Sequence, residues 1–443
     1  MQYTATKRQI LKLAAPISLS LLIPQISFMA NAVFLGQLGQ LELVVNGLTS
    51  IYYLLLTYIG FGLSNGIMVL LSRRAGENDM QGMSRTFTNG LFLSAISSLF
   101  LMMLSFWLSP LLFGYSLRDE NIFFSTIDFL YLRIWGLPFL MLTQLINAFY
   151  IATNRSRLLI YGALMANVVN VLLDYFLIFG KAGFPQMGLK GAAVASIAAE
   201  VMYCLVMYSL FFIKGLHRKY PIVRYLQFDT KISVQTLKVA APLIVQYVFS
   251  IGGWQIFYIY VEHLGVTQLA TSHILRSVLG IVSIGTWALA STCNTMVSNI
   301  IGQGQSEQVI PLVKKIIGIS FTYTICIALF LFCFPTVFLS AYTSDTSVIA
   351  MGVSSLRVLA LSSLIMCMAT ICFNAVIGTG NTLINLCIEV FCVCVYIIYI
   401  TIVVERLRAP LHIAWASELI YWGALLLTAG SYLLSKRWKG KVV

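Results

Sequence analysis

Leu11-Lys12-Leu13-Ala14-Ala15-Pro16 returns later in the chain as Leu237-Lys238-Val239-Ala240-Ala241-Pro242, a spacing of 226. The same spacing carries Leu38-Gly39 onto Leu264-Gly265, Ser72 onto Ser298 and Gly76 onto Gly302. One residue later in register, Asn147-Ala148 and Asn154 fall on Asn374-Ala375 and Asn381. Two such matches are chance; a register kept over roughly 140 residues is an internal repeat.

Working outward from the repeated motif, apolar segments fall at 10–36, 44–72, 86–114, 123–152, 157–180, 187–213, 235–262, 268–300, 312–341, 347–378, 382–404 and 411–435. Each exceeds the roughly 20 residues a helix needs to cross a bilayer, and the longer ones imply tilt or protrusion. Composition agrees: 59% of residues are hydrophobic and 10% charged, against about 25% charged in soluble domains. The sequence therefore predicts an all-α integral membrane protein of twelve transmembrane helices, six in each repeat.

The net charge of +13 does not indicate a nucleic-acid partner, because the basic residues cluster in short loops. Of the 28 Lys and Arg residues, those at the two termini (Lys7, Arg8 and Lys12; Lys436, Arg437, Lys439 and Lys441) share a side with the loops around 73–85, 155–157, 214–231 and 314–315. Only Arg118, Lys181, Lys190, Arg406 and Arg408 fall on the other side, while Arg133, Arg276 and Arg357 lie within segments. Positive charge marks the cytoplasmic face, so both termini are expected there. Residues 1–214 form an N-lobe, 215–233 a cytoplasmic linker and 234–443 a C-lobe. With six crossings in each, the lobes share one orientation: pseudo-symmetric parallel repeats, a layout of transporters that rock two bundles about a central site. The first segment carries Pro16 and Pro24 and is read as a spanning helix that bends there, not as a signal peptide. The nine cysteines lie in apolar stretches and are read as small core thiols, with no disulfide or metal spacing.

A charge at bilayer depth costs about 2.5–3.5 kcal/mol on insertion scales, so buried acids mark function by default. Four lie well inside segments: Asp174, Glu200, Glu389 and Glu418. Asn167, Asn170 and Asp174 are spaced i, i+3, i+7 and share one helix face. A polar stripe on an apolar helix must point into protein or water, and a carboxylate beside amide oxygens suits a proton or Na⁺. The competing reading is interhelical hydrogen bonding alone, and it weighs more heavily for Glu200, Glu389 and Glu418. Arg133 and Arg357, at similar places in the two repeats, read as partners of helix ends or acids. No P-loop, nucleophile elbow or H-E-x-x-H is present.

Ala14-Ala15-Pro16, then Gly36-Gln37-Leu38-Gly39 closing the first segment, resemble the multidrug and toxic compound extrusion (MATE) transporters. So do Asn170-x-x-x-Asp174-Tyr175, Gly191-Ala192-Ala193-Val194-Ala195-Ser196 and Gly378-Thr379-Gly380-Asn381-Thr382. The resemblance covers nearly the whole chain. It implies two six-helix lobes around a central cleft, exporting cationic or amphipathic compounds in exchange for H⁺ or Na⁺. It also implies an N-lobe cation site: Asn170 and Asp174, the hydroxyl of Ser196 where the family has threonine, and the backbone carbonyl of Ala192. The family's aspartate on the first helix is Asn31 here, so the site loses a charge. The acid that some members carry after the glycine-rich turn is Asn381 here, and Glu389 and Glu418 are the candidates to replace it as C-lobe protonation sites, with Glu200 a further one in the N-lobe.

The resulting expectation is a non-enzymatic, cation-coupled exporter of small organic molecules in the bacterial plasma (inner) membrane. It would be a monomer surrounded by lipid, with no cofactor and no metal beyond a coupling Na⁺. A lipid-linked saccharide flippase of the same superfamily is the alternative, and it would carry more cations in its cavity. A membrane enzyme would need two carboxylates converging in one site.

Overall fold

A computed structural model describes residues 2–440, the side chain of Val223 excepted; Lys441, counted above on the cytoplasmic side, lies outside the described residues. Twelve helices long and apolar enough to span a membrane run through them: α1 Lys7–Leu38, α2 Gln40–Gly76, α3 Met80–Ser116, α4 Glu120–Ala152, α5 Arg157–Phe179, α6 Leu189–Ile213, α7 Thr230–Glu262, α8 Val266–Gly302, α9 Ser306–Cys333, α10 Thr346–Gly378, α11 Thr382–Arg406 and α12 Leu411–Leu434. No strand occurs among the described residues. Large apolar side chains such as Phe100, Met103, Trp107 and Leu427 stand more than 60% exposed, the surface a hydrocarbon solvent requires. The hydrophobic effect therefore adds little between helices, and close packing and interhelical hydrogen bonds hold them together.

Three boundaries differ from the hydropathy reading. α4 is interrupted by a tight 3₁₀ turn at Ile134–Gly136, where Pro138 at the start of the following helix removes a backbone donor. The segment read as 312–341 ends at Cys333, because Pro335 opens a separate short helix, Pro335–Ser340. α11 closes in a π-helical turn at Thr401–Arg406. By contrast, α1 continues without interruption through Pro16 and Pro24.

The chain forms two compact units, Leu19–Ile244 (here the N-unit) and Met1–Ser18 with Val245–Val443 (the C-unit). These cuts fall inside α1 and α7, not at the 1–214, 215–233 and 234–443 boundaries read from the repeat. Local contacts explain the shift. In the C-unit, the Tyr3 amide donates to Asn299 Oδ1 at 2.9 Å, Gln303 donates to the Tyr3 carbonyl at 3.0 Å, and Lys315 donates to the Ala5 carbonyl at 2.8 Å. In the N-unit, the Asp229 amide and the Ser233 hydroxyl donate to Asn89 Oδ1 at 2.8 and 3.1 Å. There Gly62 and Gly66 let α7 approach so closely that a Cβ on either would lie under 3 Å from Ile244 or Ala240.

Within each unit the packing scheme is the same. The fourth helix of the repeat (α4 or α10) packs on the second, third and sixth, and the fifth packs on the sixth. The fourth helices even start alike. Asp119 caps α4 by accepting from the Asn121 and Ile122 amides, and Asp345 caps α10 by accepting from the Ser347 and Val348 amides; 119 and 345 differ by the repeat spacing of 226. Of the nine cysteines, Cys326, Cys333, Cys387 and Cys394 are exposed on helix surfaces, which corrects their reading as core thiols; Cys204, Cys293, Cys367, Cys372 and Cys392 are buried.

Candidate functional site

In the N-unit, Asp174 lies in the last two turns of α5, and Gly180 ends that helix in a left-handed conformation (φ 67°) with its amide bonded to the Phe176 carbonyl. α6 meets α5 at a point where a Cβ on Gly191 would sit 2.8 Å from the Leu177 backbone. Glycine thus permits the approach that encloses Asp174 and buries Ala192, both with no exposed surface. Neither oxygen of Asp174 has a hydrogen-bond partner among the described residues. Asn170, one turn before it, is 7% exposed. Ser196 is partly buried on α6. Asn31 on α1 presents a buried Oδ1 that is also without a partner among the described residues. Asn167 does otherwise: its amide donates to the Ile23 carbonyl at 2.8 Å and to Ser27 Oγ at 2.7 Å, tying α5 to α1. Of the polar stripe, one member is structural glue and another is an acid left alone.

Glu200 is the opposite case. Arg133, at the broken middle of α4, donates to both its oxygens, at 2.9 and 2.7 Å. The Tyr53 hydroxyl donates to the same carboxylate at 3.0–3.1 Å, and the guanidinium lies 3.8 Å over the Tyr53 ring. Bidentate pairing plus stacking is the strong form of such an interaction. Gly136 leaves the room for it, since a Cβ there would fall 1.9 Å from Glu200 Oε2. Arg133 is also within electrostatic reach of Asp174, but its hydrogen bonds are spent on Glu200. Tyr53 and Gly136 went unmarked in the sequence. One arginine and two acids at bilayer depth in one repeat were the available signal, and it did not say which acid the arginine meets.

In the C-unit, Glu418 follows the break at Ala416 and sits in the first turn of Ser417–Leu434, where a helix dipole favours negative charge. The Trp422 indole donates to it at 2.8 Å. Glu389, 1% exposed, accepts from the Tyr421 hydroxyl at 2.8 Å through Oε1. Among the described residues its Oε2 has no partner, and the same holds for Asn385 Oδ1. No ion pair to Asp174, Glu389 or Glu418 occurs among the described residues. Arg357 instead lies over the Phe332 ring at 5.6 Å, and Arg276 over Trp254 and Tyr258 at 5.2 and 5.1 Å.

Residues 16–176 and 242–402 each match the MatE family, two stretches related by the same spacing of 226 seen in the opening motif. The chain belongs to the MatE family. As a MATE family transporter it is not an enzyme, and it is a multi-pass membrane protein. It is 23% identical to the probable multidrug resistance protein NorM of Synechocystis over 76% of this chain and 73% of that protein. The probable NorM of Thermotoga maritima is 22% identical over 85% and 81%. Among solved structures, the outward-facing conformation of a multidrug resistance MATE family transporter of the MOP superfamily superimposes with a TM-score of 0.90 at 16% identity, covering 98% of this chain and 97% of that one. A MOP superfamily transporter from Pyrococcus furiosus, described as having a binding pocket of reverse polarity, superimposes with a TM-score of 0.87 at 17% identity, covering 97% and 95%. The MATE fold, all helical with a two-lobe repeat, is therefore the fold of this chain.

Proposed function

We propose that this chain is a multidrug exporter of the bacterial plasma membrane, with both termini cytoplasmic, that exchanges H⁺ (or Na⁺) for small cationic or amphipathic organic molecules by alternating access. We assign Asp174 as the coupling acid, with Asn170, Asn31, Ser196 and the Ala192 carbonyl as its neighbours. The reading draws on the drug-resistance names of the NorM relatives, and one observation carries the site: a fully buried carboxylate whose two oxygens have no partner among the described residues, the arginine within electrostatic reach being committed to Glu200.

The physics follows from that isolation. An ionised carboxylate without partners is expensive in a dry interior, and a proton or Na⁺ removes the cost. Wet, the site tolerates the charge; closed, it does not. A cation can shift the balance between two states only by binding them unequally, and Asp174 supplies that inequality if water reaches it in one state alone. Export of substrate then empties or refills the site in step with closure. Glu200 and Glu418, held by a fixed ion pair and by a helix start, are assigned to structure.

The test is efflux from proteoliposomes under independently imposed pH and Na⁺ gradients, with ethidium as the fluorescent cation. Wild-type chain should move ethidium against an inward H⁺ or Na⁺ gradient. Asp174→Asn should abolish this while retaining the wild-type elution profile and melting temperature. Full transport by a folded Asp174→Asn chain would end the assignment.

A further inference from the structure

We infer that Glu200 is a positioning residue for the cation site: by holding Arg133 it keeps the guanidinium off Asp174, and without it Arg133 becomes the internal counter-ion of Asp174. This rests on the antiport reading above and adds to it the group that keeps the coupling acid open. All the residues concerned lie in the N-unit.

The levels of the side chains follow from one buried cluster, in which Phe129 of α4, Ile178 of α5 and Ala192 of α6 pack together. Arg133 is four residues after Phe129, and Asp174 four residues before Ile178. Consecutive spanning helices run in opposite directions, so both steps lead the same way from the cluster, by roughly 6 Å at 1.5 Å per residue. The backbones of Arg133 and Asp174 are therefore level. Glu200 lies eight residues after Ala192, roughly 12 Å in that same direction. The Arg133 side chain thus leans a turn past Asp174 to reach Glu200, with Asp174 still within its electrostatic reach.

Three features hold it there. Its two terminal nitrogens donate to the two Glu200 oxygens. The Tyr53 ring lies against the guanidinium while the Tyr53 hydroxyl donates to the same carboxylate. Gly136 leaves the space, because a Cβ there would also fall 2.7 Å from Arg133 Nη1. Of these anchors only the carboxylate carries a charge. An arginine stays protonated in a protein, and a guanidinium stranded in a dry interior is costly, so it takes the nearest acid. With Glu200 neutral, the other acid deep in the N-unit is Asp174, whose oxygens have no hydrogen-bond partner among the described residues. Swinging back by one turn, roughly 6 Å, brings the guanidinium level with it.

Coupling depends on that place. An Asp174 carboxylate paired with Arg133 is compensated in a closed interior without H⁺ or Na⁺, so closure no longer requires a cation. A cation that binds two states equally shifts nothing between them. Exchange then loses its driving gradient while the fold survives. Glu200 takes no cation itself; its contribution is where it puts Arg133.

The experiment is a double-mutant cycle on the purified full chain in detergent, read by melting temperature, with ethidium efflux from proteoliposomes alongside. Asp174→Asn in the wild-type background should leave the melting temperature where it is. In the Glu200→Gln background the same change should lower it by a few degrees, because Arg133 loses its second acid. Glu200→Gln alone should lose gradient-driven ethidium export by about tenfold or more. Adding Arg133→Gln should restore it, since no guanidinium is left to occupy Asp174. Where Glu200→Gln does not fold, Gly136→Ala takes its place: the added methyl displaces the ends of both side chains and leaves every charge present, and the same results are expected. Equal effects of Asp174→Asn in the two backgrounds overturn the inference. So does wild-type export by Glu200→Gln, or a folded Glu200→Gln, Arg133→Gln chain that stays inactive. Full transport by folded Asp174→Asn ends the antiport reading itself, whereas an inactive Asp174→Asn beside a wild-type Glu200→Gln ends only the positioning role.

Discussion

The two units treat buried acids differently. In the N-unit, one acid of two is neutralised by an arginine of the same unit: Glu200 receives Arg133 and Tyr53, and Asp174 receives no hydrogen bond among the described residues. In the C-unit, Glu389 accepts from a phenol and Glu418 from an indole, and among the described residues neither has an ion-pair partner. An acid with a permanent cation cannot exchange protons cheaply and becomes part of the framework. An acid left alone is costly in one protonation state and stable in the other. Within the N-unit the same residue type is therefore scaffold or switch according to whether an arginine reaches it.

The largest effect should come from breaking the one balanced pair. Removing one partner of a buried ion pair strands the other charge, at a cost of roughly 3–5 kcal/mol, whereas replacing both with apolar groups of similar volume is close to neutral. Arg133→Ala should thus lower the melting temperature in detergent sharply, and Arg133→Met combined with Glu200→Leu should recover most of it. Equal losses for the single and double variants would mean that the pair is not the framework element described here. The double variant should also still export, since neither side chain is assigned to coupling.

A smaller effect should sharpen the contrast between isolated and paired acids. Asn31→Asp adds a second carboxyl to the site proposed around Asp174 and restores the charge that the resemblance to the family leads one to expect. Na⁺ stimulation of ethidium export should then appear or rise about tenfold in affinity, equivalent to about 1.4 kcal/mol. No change in Na⁺ response would place Asn31 outside the site.

The smallest concerns acids at the surface, where the two units agree. Asp119 and Asp345 cap equivalent helices, and the Ser347 hydroxyl and amide hold the Asp345 carboxyl below the ordinary carboxylate range. A depressed folded-state value stabilises above the unfolded value, ~4, and that contribution is lost as pH falls through the lower folded value. Asp345→Ala should therefore melt slightly below wild type at pH 7, and the gap should close as pH drops below ~4. A gap that persists in acid would assign the effect to something other than the charged cap.

Much of this was readable from the chain. The repeat, the twelve crossings and the place of Asp174 on a polar stripe follow from hydropathy and spacing, both local properties. The interruption of α4 was foreshadowed by Pro138, yet hydropathy runs straight across it because a 3₁₀ turn is as apolar as the helix around it. The partner of Arg133 lies 67 residues away, and no periodicity spans that distance.

What the sequence by itself determined is where the chain must cross a membrane, because a run of apolar residues has only one low-cost solvent and its backbone must satisfy its own hydrogen bonds. What only the tertiary structure decided is which charges meet. It gave Arg133 to Glu200 and not to Asp174, and it assigned the first turns of α1 and α7 to units other than those holding the rest of their repeats. Those outcomes depend on distances between helices, and packing sets these through small residues such as Gly136 and Gly191, whose effect appears only when another helix is against them.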